Sequence, residues 1–587
     1  KFVYHYIPKN VRMQEDKNLS EIKVGDLKII ENKELSIWEA LIPVVALIGM
    51  LAFNVYVYGD DALSGSNQFI LLMGAAVAAI VGFSNKVPYK LMLEEVGENV
   101  KSTSSAIIIL LMVGALAGTW LISGIIPSMI YYGLQILNPT VFLAASLVIC
   151  CIVSIATGSS WTTSATVGIA LMGIGNALGV PAGMTAGAVL SGAYFGDKMS
   201  PLSDTTNLAP AVAGGELFEH IKYMTYTTVP TIIITLIVFV IIGFNIDASG
   251  SVNTEKMLLG IKASFNVTPW LFIVPAIVIL LIIRKTSPLI ALIIGALLGG
   301  IFATIFQSAI IWDQGLRYEV TKVSSEFKDY VMWDNVSNNN YQSPGVYTLI
   351  SKEEGVTMSK PIVFNLPTSK TSVSEEFSET TTIFKDGKEI GTLNLMAQPT
   401  NFLQSAYFSV MNALTVETSI QTEDERLNGL FEAKGMGGML GTIWLIICAM
   451  TFGGVMDAIG ALAKISSSIL NMFDSIFGLF ASTVFSCITL NATASDQYLA
   501  IVVPGKMYAK AFKDRGLAPE NLSRTLEDSG TVTSTLVPWN TGGAYQSSVL
   551  GVGVADYFVY AIFNWLSPIM TLIFAAFKIK IKKLVTK

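Results

Sequence analysis

The amino-acid sequence predicts an all-α polytopic membrane protein that carries one small β-rich soluble insert, and three observations lead there. Apolar residues fill 52% of the 587 positions and charged ones only 14%, with a mean hydropathy of +0.58, far from the balance of a soluble domain. Apolar stretches long enough to cross about 30 Å of hydrocarbon recur along most of the chain. Between about Ala309 and Asn401 that pattern gives way to charged and hydroxyl residues, and the apolar runs shrink to strand length.

In chain order, residues 1–36 form a polar, cytoplasmic N-terminal segment whose alternation at Ile22, Val24, Leu27 and Ile29 suits a short strand or an interfacial stretch. A first transmembrane repeat over 37–247 contains apolar stretches at 37–58, 67–84, 104–125, 139–156, 162–180 and 226–246. A connecting transmembrane region over 248–308 adds 269–283 and 287–307. The extracytoplasmic insert, 309–401, carries an Asp-Gly hairpin signal in Phe384-Lys-Asp-Gly-Lys-Glu-Ile, because those two residues tolerate the positive φ that a tight hairpin requires. Trp312 and Trp333 are expected in its own core. A second repeat over 402–578 contains 438–456, 475–491, 529–552 and 556–577, and a basic cytoplasmic tail closes the chain at 579–587. Interruptions such as Gly124-Ile-Ile-Pro127 and Thr157-Gly-Ser-Ser160 leave about ten to thirteen membrane elements, re-entrant pieces included.

Short-loop lysine and arginine set the orientation. Lys28 and Lys33 precede the first span, Asp60 and Asp61 follow it, and Lys86, Lys90 and Lys101 follow the second. The N-terminus is then inside. Arg284-Lys285 and the tail lysines also fall inside, which puts the insert outside.

A net charge of -6 and a pI near 5.3 exclude a nucleic-acid partner, since no broad basic face is present to displace counterions. Cys150, Cys151, Cys448 and Cys487 lie in apolar runs and read as small buried hydrophobes. His5 and His220 are the only histidines, and no His-Glu-x-x-His, Gly-x-Ser-x-Gly or phosphate-binding loop occurs, so no enzyme is expected.

The stretch Ser191 to Pro210 stands out as polar text between two apolar regions. Gly196, Pro201 and Pro210 should break a helix there, and such backbone survives at membrane depth only inside protein or beside water. Its ionisable residues, Asp197, Lys198 and Asp204, are costly at that depth and read as functional; the blander alternative is an Asp197–Lys198 ion pair in a cytoplasmic loop. A faint echo lies in the second half. Ser154-Ile-Ala-Thr-Gly-Ser-Ser-Trp resembles Thr489-Leu-Asn-Ala-Thr-Ala-Ser-Asp-Gln-Tyr, and Ser-Pro-Leu-Ser-Asp-Thr-Thr at 200–206 resembles Val-Pro-Trp-Asn-Thr-Gly-Gly at 537–543. Two halves of inverted topology with a site between them would produce such an echo, and so would chance in Gly/Ser/Thr-rich text.

The oxygens on offer suit a hard cation such as sodium and not zinc or copper. They come from Asp197, Ser200, Ser203, Asp204, Thr205, Thr206 and Asn207 in the first half and from Asn491, Thr493, Ser495, Asp496, Asn540 and Thr541 in the second. Asp204 and Asp496 are the candidate sodium carboxylates. A buried carboxylate can hold a proton once the metal ion leaves, so one site would carry either ion and never both. Asp457 and Asp528 are further candidates, with capping or interfacial placement as the alternative. Lys198 and Lys506 can neutralise an empty site or meet a substrate carboxylate, or else snorkel to an interface.

At these residues the sequence resembles the NhaC-type sodium/proton antiporter family of the wider ion transporter superfamily. The words that carry the resemblance are Ser159-Ser-Trp-Thr-Thr-Ser-Ala-Thr-Val-Gly-Ile-Ala-Leu-Met-Gly-Ile-Gly, Gly192-Ala-Tyr-Phe-Gly-Asp-Lys-Met-Ser-Pro-Leu-Ser-Asp-Thr-Thr-Asn-Leu-Ala-Pro and Leu536-Val-Pro-Trp-Asn-Thr-Gly-Gly. The resemblance implies an inverted-repeat secondary transporter with broken or re-entrant helices, and Asp197, Asp204, Thr205, Thr206 and Asn207 as ion ligands. The insert departs from the family pattern. Such families also include exchangers of malate against lactate and suspected amino-acid carriers, so exchange of a small carboxylate or amino acid is the alternative function. No cofactor is expected; sodium and protons are cargo. The expected partners are the lipid bilayer and a second copy of the chain in a homodimer, and the expected location is the inner or plasma membrane of a bacterial cell.

Overall fold

The computed structural model describes residues 35–58, 65–246, 254–284, 286–321, 323–334, 341–366, 377–422, 428–470 and 475–584. The alternating N-terminal positions, Asp60, Asp61 and Lys285 lie outside these residues. Among the described residues eight helices are long and apolar enough to cross a membrane, or nine if the bent pair Glu255–Ser264 and Pro269–Ile283 counts as one span. The chain is a multi-pass membrane protein.

The first half runs α1 (Ile37–Tyr58), α2 (Ser66–Ser84), α3 (Tyr89–Ser102), α4 (Ser104–Ile122), α5 (Ile125–Ile136) and α6 (Pro139–Thr157). After a break come α7 (Ser160–Thr163), a π-helical turn (Ser164–Gly168) and α8 (Ile169–Ala177), then α9 (Ala182–Met199), a second break, α10 (Asp204–Ala213) and α11 (Leu217–Asn245). Next are α12 (Thr254–Ser264), α13 (Ile273–Ile283), α14 (Pro288–Phe306), α15 (Ser308–Gly315) and, past the insert, α16 (Phe402–Thr415). The second half has α17 (Leu440–Ala458), α18 (Ala461–Leu470), α19 (Ile476–Thr493), α20 (Gln497–Asp514), α21 (Pro519–Leu526), a π-helical turn (Glu527–Thr531), α22 (Thr541–Leu550), α23 (Val554–Phe558) and α24 (Ile562–Ala576).

The echo read in the sequence is structural. In each half a helix ends, a short break follows, and the chain re-enters a helix: α6 into α7, α9 into α10, α19 into α20, and the segment after α21 into α22. The half-helices interlock, with α10 against α20 and α21, and α22 against the first half's π turn and α8. The stretch 529–552, read as one apolar span, is interrupted here because Val537-Pro538-Trp539 cannot continue a helix into the cap at Asn540.

Gly196 and Pro210, expected to break the chain, both lie inside helices, and the first-half break is confined to residues 200–203. Gly196 serves close packing instead. A Cβ there would fall 2.7 Å from the Cys151 carbonyl oxygen, and one at Gly192 would fall 2.4 Å from that of Leu147. The two glycines, four residues apart, let α9 lie against the backbone of α6, and Ser154 donates to the Ala193 carbonyl across the contact at 2.5 Å.

The insert holds β1 (Tyr318–Val320), β2 (Val331–Asp334), β3 (Tyr341–Gln342), β4 (Gly345–Ser351), β5 (Val356–Met358), β6 (Val363–Leu366), β7 (Phe377–Lys385) and β8 (Lys388–Pro399). They form an antiparallel sheet of order β3-β1-β8-β7-β5 and a second of order β2-β4-β6. The Asp-Gly hairpin joins β7 to β8, with φ of 50° at Asp386 and 77° at Gly387. Phe364, Leu349, Ile383 and Leu395 form a core separate from that of the helices, and Trp312 and Trp333 pack on it.

A candidate ion site at two helix crossings

The first crossing follows from capping chemistry. Gly158, with φ of 68°, ends α6, and Ser159 caps α7 by accepting from the Thr162 amide at 3.2 Å. Free amides at the start of this helix favour an anion, and the anion there is Asp197, from the last turn of α9. Its Oδ2 accepts from the Ser160 amide at 3.2 Å and from the Ser160 hydroxyl at 2.7 Å. Ser203 caps α10, accepting from the Thr206 amide at 3.3 Å, and its hydroxyl lies 3.2 Å from that of Thr205. Thr206 donates to the carbonyls of Asp197 and Lys198 at 3.1 and 3.2 Å, so α10 is pinned to the end of α9. Asp197, Ser203, Thr205 and Thr206 are all buried.

Asp204 and Asn207 lie on the other side of α10. Both are exposed, and the Asn207 amide donates to the carbonyls of Pro201 and Ser203 at 2.9 and 2.6 Å. Ser203 sets this arrangement: once it caps the helix, Asp204 falls in the first turn, three residues before Asn207 and on the same face.

At the second crossing Ser495 adopts φ of 59° between α19 and α20. Asp496 caps α20, accepting from the Tyr498 and Leu499 amides at 2.8 and 3.0 Å. Asn540 caps α22 through the Gly542 amide at 2.9 Å and donates to the Asn491 carbonyl and side-chain oxygen at 2.9 and 3.1 Å. The Thr541 amide donates to the Ser495 carbonyl at 2.9 Å, and the Trp539 indole to the Ala492 carbonyl at 2.7 Å. Thr493 donates along its own helix to the Thr489 carbonyl at 2.8 Å. The hydroxyl of Ser495 is buried without a partner.

The two crossings meet through aromatic and charged contacts. Trp161 stacks on Tyr545 with centroids 4.1 Å apart, and the Tyr545 hydroxyl donates to the Trp161 carbonyl at 3.1 Å. Lys198 is wholly buried and pairs with Asp528 of the second half, 330 residues away; it neither pairs with Asp197 nor snorkels. Asp528 accepts in addition from Thr227 of α11 at 2.9 Å and Thr571 of α24 at 2.5 Å. Phe563 lies 5.3 Å from the Lys198 ammonium. Asp457, half-buried on α17, and Lys506, half-buried on α20, stand apart from these breaks in the chain.

The sequence reading missed Ser160 as the donor to Asp197, and it missed Glu527. The signal for Glu527 was an acid preceding Asp528 at the edge of an apolar stretch. Among the described residues no three histidine, cysteine, aspartate or glutamate side chains converge on one point. The chemistry at the crossings is therefore one of single carboxylates, hydroxyls and freed carbonyls, which suits a weakly held hard monovalent cation.

A family model described as the Na+/H+ antiporter family matches residues 192–318 and 348–579. The Na(+)/H(+) antiporter NhaC of Alkalihalophilus pseudofirmus is 31% identical over 513 residues, covering 87% of this chain and 90% of its own. NhaC of Bacillus subtilis is 30% identical over 505 residues, covering 86% and 90%. The Malate-2H(+)/Na(+)-lactate antiporter of Bacillus subtilis is 30% identical over 505 residues, covering 85% and 86%. The matched segments include α9, α10, α20 and α22, and with them both crossings: the chain belongs to the Na+/H+ antiporter family.

Proposed function

We propose that this protein exchanges sodium for protons by alternating access, with the ion held between the two crossings. The observation that carries the reading is Asp197, a buried carboxylate at a helix break whose only recorded donors are the two of Ser160. Sodium binding there takes oxygens from Asp197, Ser203, Thr205 and Thr206, with Asp496, Ser495, Thr493, Asn540 and Thr541 completing the set from the second half as the halves move. When sodium leaves, a proton neutralises the carboxylate, since an isolated buried charge is unfavourable. Asp204 and Asn207, exposed on α10, receive the ion at the mouth. The N-terminus faces the cytoplasm, the insert the outside, and the host membrane is the bacterial inner or plasma membrane.

The test is exchange in proteoliposomes carrying an internal pH dye. Sodium added outside should shift the internal pH, and the absence of any shift across the pH range overturns the reading. One relative is named for malate and lactate, so the same vesicles should be challenged with both. Lys198 is already committed to Asp528, which argues against its meeting a substrate carboxylate.

A further inference from the structure

Glu527 opens the second-half π turn and is fully buried, yet neither carboxylate oxygen has a hydrogen-bond partner. A π-helical turn is uncommon and tends to mark functional positions. Buried carboxylate oxygens without donors are rare, and each calls for an unseen ion, water or proton. The surrounding charges do not supply one. Lys198 acts on Glu527 electrostatically but makes its ion pair with Asp528. Arg524, one turn earlier, rests against the rings of Tyr223 and Phe574, and among the described residues it makes no ion pair with Glu527. Asp197 is close enough to repel it. What does face the carboxylate is neutral oxygen. Thr531, four residues on and so on the same face, has a buried hydroxyl with no partner, and Thr205 of α10 lies beside the carboxylate as well.

We infer that Glu527, with the hydroxyls of Thr531 and Thr205, forms a second cation subsite that takes sodium or a proton and faces Asp197 from the second half. Two carboxylates and several hydroxyls, with Lys198 and Asp528 balancing one another, leave an anionic pocket whose charge a monovalent cation reduces. As sodium binds, the carboxylic acid of Glu527 gives its proton to water, and as sodium leaves it takes one back. The inference rests on the sodium/proton reading above and adds to it a carboxylate on the opposite half of the chain.

The test is sodium-induced proton release by the purified full-length protein in detergent, followed with a pH indicator, beside exchange in proteoliposomes. Glu527→Gln should stay monodisperse, release fewer protons per sodium bound than wild type, and lose exchange. Thr531→Val, which keeps the carboxylate, should raise the sodium concentration for half-saturation about tenfold, the loss of one good ligand contact. Wild-type proton release and half-saturation in both variants, with wild-type exchange intact, overturns the subsite alone. Absence of sodium-dependent proton release and of exchange in the wild type overturns the underlying reading with it.

Discussion

At the first crossing a carboxylate does the fastening: Asp197 reaches from α9 to Ser160 at the start of α7. At the second crossing the equivalent work is done by neutral groups, with Asn540 on Asn491, the Thr541 amide on Ser495 and Trp539 on Ala492. Asp496 is present there, but as a helix cap held by two backbone amides. The difference separates two duties. A contact through a carboxylate changes strength when its charge is taken by a proton or metal ion, whereas amide contacts do not. Exchange of ions therefore acts first on the joint between α7 and α9, while the second crossing keeps its shape.

The sharpest way to break that comparison is Asp197→Asn. It retains shape and removes the exchangeable charge, so sodium-driven pH change in vesicles should drop to that of empty vesicles while the protein still purifies as a folded species. Wild-type rates would remove Asp197 from the mechanism. Next in size is Lys198→Ala, which strands Asp528. Breaking a buried pair from one side costs about 3–5 kcal/mol, read as a lower melting temperature, and Lys198→Met with Asp528→Leu should recover much of it. Asp496→Asn should be milder than Asp197→Asn, because asparagine also caps helices: transport weakens severalfold and stability falls by about 1 kcal/mol or less. An effect as large as that of Asp197→Asn would mean that the crossings share the charge equally. Asn540→Ala removes the amide tether and should cost about 1–3 kcal/mol, with no change in the pH at which exchange is half-maximal. The smallest effect belongs to the insert. Gly387→Ala, at φ of 77° in the β7–β8 hairpin, should cost about 1–2 kcal/mol locally and leave exchange unchanged.

Much of the architecture was legible before the coordinates because bilayer length and helix punctuation leave strong marks in the text. Pro201 and Ser203 mark the first-half break, Pro538 and Asn540 the last one, and Asp386-Gly387 the hairpin. Gly196 misled because glycine serves two purposes, breaking helices and letting them touch, and only the position of Cys151 reveals which applies. Asp204 and Asp197 read alike in sequence, yet one is exposed and the other buried, a distinction set by where Ser203 starts α10. Lys198 showed nothing of its partner, since no periodicity links positions 330 residues apart. Glu527 was hidden by its own neighbourhood: an apolar window after it and Asp528 beside it drew the eye elsewhere.

The Lys198–Asp528 pair constrains how the molecule can open. Two opposite charges sealed in a low-dielectric interior cannot be pulled apart without finding new partners, and Thr227 and Thr571 already steady the acidic end. The pair behaves as a pivot that joins α9, α11, α24 and the π turn. The line along which the protein parts to admit an ion on one side and then the other consequently does not follow the midpoint of the chain; it passes around that pivot, and each moving body is a composite of early and late sequence.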